Sequence, residues 1–246
     1  MKLSFYAFAM CQSMFCAIPF PCHVWEEKAR SRMLLFLPLI GLEIGGIWAL
    51  LGWLCRTFHF APMVTALVLT VAPYLLTGFI HLDGFMDVTD AIGSCRDLEK
   101  RRAILKDSHV GSFAVIGIVL LMLSQFALFS AVKPETSLLP LILAPCISRT
   151  AAGIAVLTLP KMSTSQYSQQ VVKKGQVVFM SLVLILALML DLVFFGTAGL
   201  SGVVCAALCG LCIRKGYRSL EGMNGDISGY SITISELAAA AVLALI

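Results

Sequence analysis

In a chain of 246 residues, 59% hydrophobic and 13% charged residues with a mean hydropathy of +0.92 exclude an ordinary soluble globule; such proteins are roughly 45–50% apolar and about 25% charged. The formal net charge of +4 is small, and membrane topology explains the basic residues well enough that no nucleic acid is expected as a partner. The apolar residues come in blocks close to the ~20 that a helix needs to cross ~30 Å of hydrocarbon. They predict an all-α fold, a polytopic integral membrane helix bundle in the lipid bilayer with about 6–7 transmembrane helices and cytoplasmic polar loops, forming one catalytic domain over residues 1–246.

In chain order, Ser4–Phe20 reads as an interfacial or re-entrant helix, and residues 1–32 as a cytoplasmic lead-in. Its single Lys2, the prolines Pro19 and Pro21 and the want of a small-x-small cleavage site set it apart from a signal peptide. Candidate spans follow at Met33–Cys55, Pro62–Ile80, Ser112–Val132, Leu138–Leu159, Val177–Phe195, Thr197–Ile213 and a short Ile232–Ile246. The nine cysteines lie in apolar surroundings, and the close pair Cys209 and Cys212 has no His or carboxylate nearby in sequence. They read as buried thiols.

Basic residues in short loops collect on the cytoplasmic side. One side of this chain receives Lys2, Lys28, Arg30 and Arg32; then Arg96, Lys100, Arg101, Arg102 and Lys106; then Lys161, Lys173 and Lys174; then Arg214, Lys215 and Arg218. The other receives Arg56 and Lys133, and Arg149 falls inside a span. The alternation holds through every loop. It places the three long connections, Ile80–Gly111, Pro160–Gln176 and a Gly-rich loop over residues 214–231, on the cytoplasmic face of a bacterial inner membrane.

The densest chemistry lies in residues 81–111. His81-Leu-Asp83-Gly-Phe-Met-Asp87-Val-Thr-Asp90 puts carboxylates at i, i+4 and i+7, which share one face of a helix. Charges ~6 Å apart at an effective dielectric of about 20 repel by roughly 3 kcal/mol per pair. A divalent cation relieves that repulsion, and oxygen ligands favour Mg²⁺, with Mn²⁺ second, held by Asp83, Asp87 and Asp90 together with substrate phosphate. The plain alternative is a solvated acidic face neutralised by Arg96, Arg101, Arg102 and Lys106. Lys106-Asp107-Ser108-His109 closes the loop, and Gly111-Ser112 suits a helix N-terminus that offers N–H groups to an anion. Near the C-terminus, Glu221-Gly-Met-Asn224-Gly225-Asp226-Ile-Ser228-Gly can bring backbone amides to phosphate, although turn chemistry would explain it equally. Arg149, next to Ser148, is the in-span candidate for a substrate anion. Glu43, Asp191 and Glu236 should also face the bundle interior if they lie at depth, and His23 and His59 read as structural.

The run from Thr77 to Asp90, followed by Lys106-Asp-Ser-His-Val-Gly-Ser112, closely resembles the adenosylcobinamide-GDP ribazoletransferase, or cobalamin (5′-phosphate) synthase, family. The resemblance extends through Phe36–Gly45, Ser148-Arg149, Asn224-Gly-Asp226 and Ser235-Glu236-Leu. It implies transfer of cobinamide phosphate from adenosylcobinamide-GDP to a ribose hydroxyl of α-ribazole or its 5′-phosphate, with Mg²⁺ required and GMP released. Other enzymes of the corrinoid pathway would then be partners. In the roles so implied, Asp83, Asp87 and Asp90 hold the metal and Asp107 is a further ligand or the base. His81, Lys106, Ser108, Arg149, Asn224, Gly225 and Asp226 bind substrate and its phosphates. The sequence departs from the family at Asn224, where Thr is usual, at Gly229-Tyr230 and at Ala91-Ile92, and matches poorly over Lys161–Gln176, a loop expected to face the nucleotide or the base.

Two rival classes are separable. A CDP-alcohol phosphatidyltransferase needs an acidic residue where Ile80 stands, and Ala-Arg where Asp87-Val88 stands, with a later acidic pair. A transporter subunit needs carboxylates deep within spans, whereas these begin where an apolar block ends, at His81.

Overall fold

In a computed structural model, the protein is described over residues 2–163, 165 and 172–246. Its regular elements there are helices: α1 Lys2–Phe15, α2 Glu27–Met33, α3 Leu37–Thr57, α4 Pro62–Leu76, α5 Ile80–Gly93, α6 Leu98–Ile104, α7 Ser112–Ala131, α8 Ala144–Thr158, α9 Lys174–Phe195, α10 Leu200–Leu220 and α11 Gly225–Leu245. Short 3₁₀ turns precede α3, α8 and α10. Residues 164 and 166–171 of the expected loop Pro160–Gln176 fall outside the described residues.

Five helical stretches are long and apolar enough to cross a membrane, or six with α4 and α5 taken as one broken span. The longest, Lys174–Leu220, has 47 residues, about twice what one crossing needs. It doubles back at Gly196–Gly199: the Gly202 amide donates to Asp191 Oδ2 at 2.9 Å, although eleven residues along a straight helix would lie about 16 Å apart. Leucines and valines on α7 and α9 point outward, as lipid-facing helices require.

The two sets of basic residues separate to opposite ends. At one end Arg101 donates to the Ser219 carbonyl and Arg102 to those of Leu220 and Glu221, so that α6 caps the last turn of α10. At that same end the Met162 amide donates to the Met223 carbonyl, the Met223 amide to that of Pro160, and Gln176 reaches the Ser31 carbonyl. At the other end Arg56 holds the carbonyls of Thr136 and Lys133, and Lys133 reaches that of Ile246.

Three sequence expectations need correction. The span Pro62–Ile80 stops at Leu76. There the Thr77 hydroxyl donates to the Pro73 and Tyr74 carbonyls, Gly78 and Phe79 take left-handed conformations (φ +58° and +65°), and α5 leaves at 92°. With 14 residues, α5 is about 21 Å long and lies across the bundle as a crosspiece, outside the spans. The Gly-rich stretch 214–231 is not a loop: α10 runs to Leu220 and α11 starts at Gly225, leaving residues 221–224 between them. The final span accordingly has 21 residues and is not short. All nine cysteines are free and seven of them are buried, though Cys95 is exposed and Cys22 half-buried.

Candidate active site

The site forms where α5 lies across the first turns of α11, and glycine makes that contact possible. A side chain on Gly84 would come within 2.9 Å of the Asp226 Cα and carbonyl oxygen, and one on Gly229 within 2.8 Å of the His81 carbonyl. Without either Cβ the two backbones meet. Thr233 Oγ1 then donates to the His81 carbonyl at 3.2 Å, and the Phe85 and Tyr230 rings stack at 6.0 Å. Asn224 caps α11: its Oδ1 accepts the Ile227 amide at 3.0 Å while its Nδ2 donates to Asp226 Oδ2 at 2.5 Å.

This crossing adds a fourth carboxylate, Asp226, to the face predicted for Asp83, Asp87 and Asp90. Burial first, and then the charges of Asp83, Asp226 and Asp90, push the Asp87 carboxyl up from 3.8 to about 7. The Asp90 carboxylate rests against Gly111, the residue before α7, in the space a side chain at 111 would need. Among the described residues no Lys or Arg forms an ion pair with Asp83, Asp87, Asp90 or Asp226. Of the basic residues expected to neutralise the acidic face, Arg101 and Arg102 are engaged on carbonyls at the end of α10, and Lys106 lines a separate pocket. The excess negative charge therefore stands uncompensated.

No group of three His, Cys, Asp or Glu side chains among the described residues forms a ready-made metal cage. A cation among these carboxylates would have to complete its shell with water and substrate phosphate, as Mg²⁺ commonly does. Oxygen donors carrying unbalanced charge are the right chemistry for it.

Two cavities adjoin the acidic face, and Asp83 belongs to both. One, of about 120 Å³, lies among α1, α3, α5, α8 and α11; His81, Asp83, Gly225 and Asp226 line it. The other, about 500 Å³ and more open, lies between the end of α1 and the Thr77–Ile80 break.

The remaining predicted residues stand apart from these cavities. Lys106 lines a small separate pocket with Arg102 and Met162. Asp107 and Ser108 are exposed on the loop before α7. Hydrogen bonds from the His109 amide (3.0 Å) and ring (2.7 Å) hold the Asp107 carboxyl below the usual range. Arg149 is buried and pairs with Glu236 at 2.5 Å, which also accepts from the Ser148 hydroxyl at 2.7 Å. Sequence reasoning missed that partnership, along with the contact roles of Gly84 and Gly229 and the participation of Phe15 and Ser228 in the small cavity. The cost of a carboxylate at depth and the resemblance at Ser235-Glu236-Leu both marked Glu236, but neither paired it with Arg149.

The profile of the cobalamin-5-phosphate synthase family matches residues 7–244. The chain is 34% identical to the adenosylcobinamide-GDP ribazoletransferase of Clostridium perfringens strain SM101, over all of both chains. It is 33% identical to the protein of the same name from Clostridium botulinum strain Alaska E43, over 96% of each. With the protein so named from Desulfitobacterium hafniense strain Y51 the identity is 35%, over 86% of this chain and 85% of that one. No solved structure matches. Matched along nearly its whole length, with the acidic face, the Ser148-Arg149 pair and the Asn224–Asp226 turn all inside the match, the chain belongs to the cobalamin-5-phosphate synthase family.

Proposed function

We propose that the protein joins adenosylcobinamide-GDP to α-ribazole or α-ribazole 5′-phosphate, yielding adenosylcobalamin or its 5′-phosphate and GMP. Family membership sets the reaction class, and the single observation that carries the site is the uncompensated carboxylate cluster built by α5 and α11. We place the protein in a bacterial inner membrane with this end cytoplasmic, on the alternation of its basic residues.

Reaction requires a ribose hydroxyl oxygen to attack the phosphorus of the cobinamide phosphate, while the bond from that phosphorus to the GMP oxygen breaks and GMP leaves with both electrons. Asp83, Asp87 and Asp90 would hold Mg²⁺ or Mn²⁺, whose charge would offset that of the diphosphate and of the departing GMP. Asp83, at the wall shared by both cavities, orients the two substrates toward one another. Asp226 receives the hydroxyl proton. Asp107 is poorly suited to that task, because a carboxylate held low by His109 is a weak base. Asn224 keeps Asp226 in place through its hydrogen bond. Lys106 and Ser108, exposed on the loop before α7, are assigned to phosphate oxygens on the family resemblance. Arg149 steadies the floor of the site through Glu236.

The test is purified protein in detergent or lipid, supplied with adenosylcobinamide-GDP, α-ribazole 5′-phosphate and Mg²⁺, with GMP followed over time. Steady GMP release that needs all three additions is expected. No release under conditions that support an established synthase overturns the reading.

A further inference from the structure

Asp90 is held from outside its own helix. Its carboxyl carbon and both oxygens fill the space that a side chain on residue 111 would need. Gly111 has an ordinary extended backbone, φ −86° and ψ 166°, which any residue adopts. Space, and not conformational freedom, accounts for the glycine. The 20-residue helix α7 that follows has no side-chain cap of its own, and a carboxylate beside its N-terminus is favoured by the positive end of the helix dipole. The anion that the Gly111-Ser112 turn receives is therefore one of the protein's own.

Where that carboxylate lies matters because the acidic groups are spread along α5. At 1.5 Å per residue, Asp90 stands about 4.5 Å along the helix axis from Asp87 and about 10 Å from Asp83. The longer separation is too great for both to touch one Mg²⁺, whose oxygen ligands lie about 2.0–2.1 Å from it. Asp87, whose carboxyl the charge of Asp90 already reaches, is thus the neighbour with which Asp90 can share a cation.

We infer that Gly111 is a positioning residue for the metal: by leaving room for the Asp90 carboxylate against α7, it fixes that group where it can join Asp87 on the cation. The inference rests on the metal role proposed above and adds a residue that acts only through Asp90. The other glycine contacts supply the contrast. At Gly84 and Gly229 the obstacle to a side chain is main chain, so whole helices would have to move. At Gly111 the obstacle is the tip of a short side chain, which can turn aside to another rotamer. Gly111→Ala should therefore fold and misplace the carboxylate. Gly117 lies on the same α5–α7 contact, where a methyl would meet Thr89 Cγ2 at 2.8 Å and Phe85 at 3.6 Å but no carboxylate, and it serves as the control.

The experiment titrates Mg²⁺ into the full chain in detergent and reads two half-maximal concentrations: that for GMP release with both substrates, and that for the rise in thermal midpoint with no substrate present. Losing the outer partner of a metal ligand typically costs about 10–100-fold in metal affinity, so Gly111→Ala should raise both concentrations at least about tenfold. Gly117→Ala should leave both as in wild type, whatever it does to the midpoint without metal. In an Asp90→Ala background, Gly111→Ala should add nothing further to the Mg²⁺ requirement read by melting, the non-additivity of two residues acting through one contact. Should Gly111→Ala fail to fold, Asp90→Ala/Gly111→Ala must recover the fold, because it removes the collision; failure of both overturns the inference. A Gly111→Ala protein with wild-type Mg²⁺ dependence, or one whose defect persists undiminished in the Asp90→Ala background, overturns this inference alone. Wild type whose melting and turnover ignore Mg²⁺ overturns the metal reading beneath it, and wild type that releases no GMP overturns the transferase reading.

Discussion

Asp83 and Asp87 occupy one helix face but do different work. Asp83 borders both cavities, so Asp83→Asn should lower kcat at least a hundredfold while the protein is recovered at normal yield and elutes normally on size exclusion; near-normal turnover would reject its metal role. Asp87 is the group whose protonation the fold alters most clearly at this surface, from 3.8 to about 7. Because the folded state binds that proton more tightly than the unfolded state, stability without metal should fall as pH rises from about 4 to about 7 and then level off. A bound cation replaces the proton. Mg²⁺ should therefore raise the midpoint of thermal unfolding more at pH 8 than at pH 5, which melting curves in detergent with and without Mg²⁺ would check; equal shifts at both pH values would argue against Asp87 as a ligand. At this scale the sequence was informative, since the i, i+4, i+7 spacing placed three carboxylates together before any coordinates. The burial of the His81 ring was not legible, because an unpaired ring nitrogen is defined by what surrounds it in space.

Among the elements, the pair α5 and α11 decides the geometry of the site. Hydropathy ran the second span through to Ile80, as it must, because an apolar window registers composition and not direction; the bend depends on the Thr77 hydroxyl and on two left-handed residues. The misreading of residues 214–231 has a related cause. Asn224, Gly225, Ser228 and Gly229 carry the composition of a turn, yet from Gly225 onward they are helical. Gly229 is there because the α5 backbone presses on it, a long-range reason that local propensity does not contain. Gly229→Ala should accordingly force the two helices apart, lowering turnover more than tenfold and destabilising the protein by about 1–3 kcal/mol. Activity and thermal melts of the same preparation would show both effects; unchanged turnover would mean that the crossing tolerates displacement.

Across the whole molecule, the separation of basic residues to opposite ends was legible from counting alone, whereas the interior polar network was not. Arg149 looked available to a substrate, but Glu236, 87 residues later, accepts its charge. Removing one partner of a buried ion pair typically destabilises by about 3–5 kcal/mol, while replacing both with apolar groups can be nearly neutral. Arg149→Met should thus be poorly stable and Arg149→Met/Glu236→Leu substantially recovered, as thermal melts would report; recovered stability without any recovered turnover would return Arg149 to the substrate. The glycine contacts at 84 and 229 carry one further consequence. Two backbones already touching offer no seam to part, so a bulky corrinoid must arrive from the opposite flank, where the end of α1 meets the Thr77–Phe79 kink through the Ala17 amide and the Leu76 carbonyl. The doorway of this enzyme and its kink would then be the same few residues, and an obstruction such as Ser13→Trp should raise the KM for adenosylcobinamide-GDP when GMP release is followed.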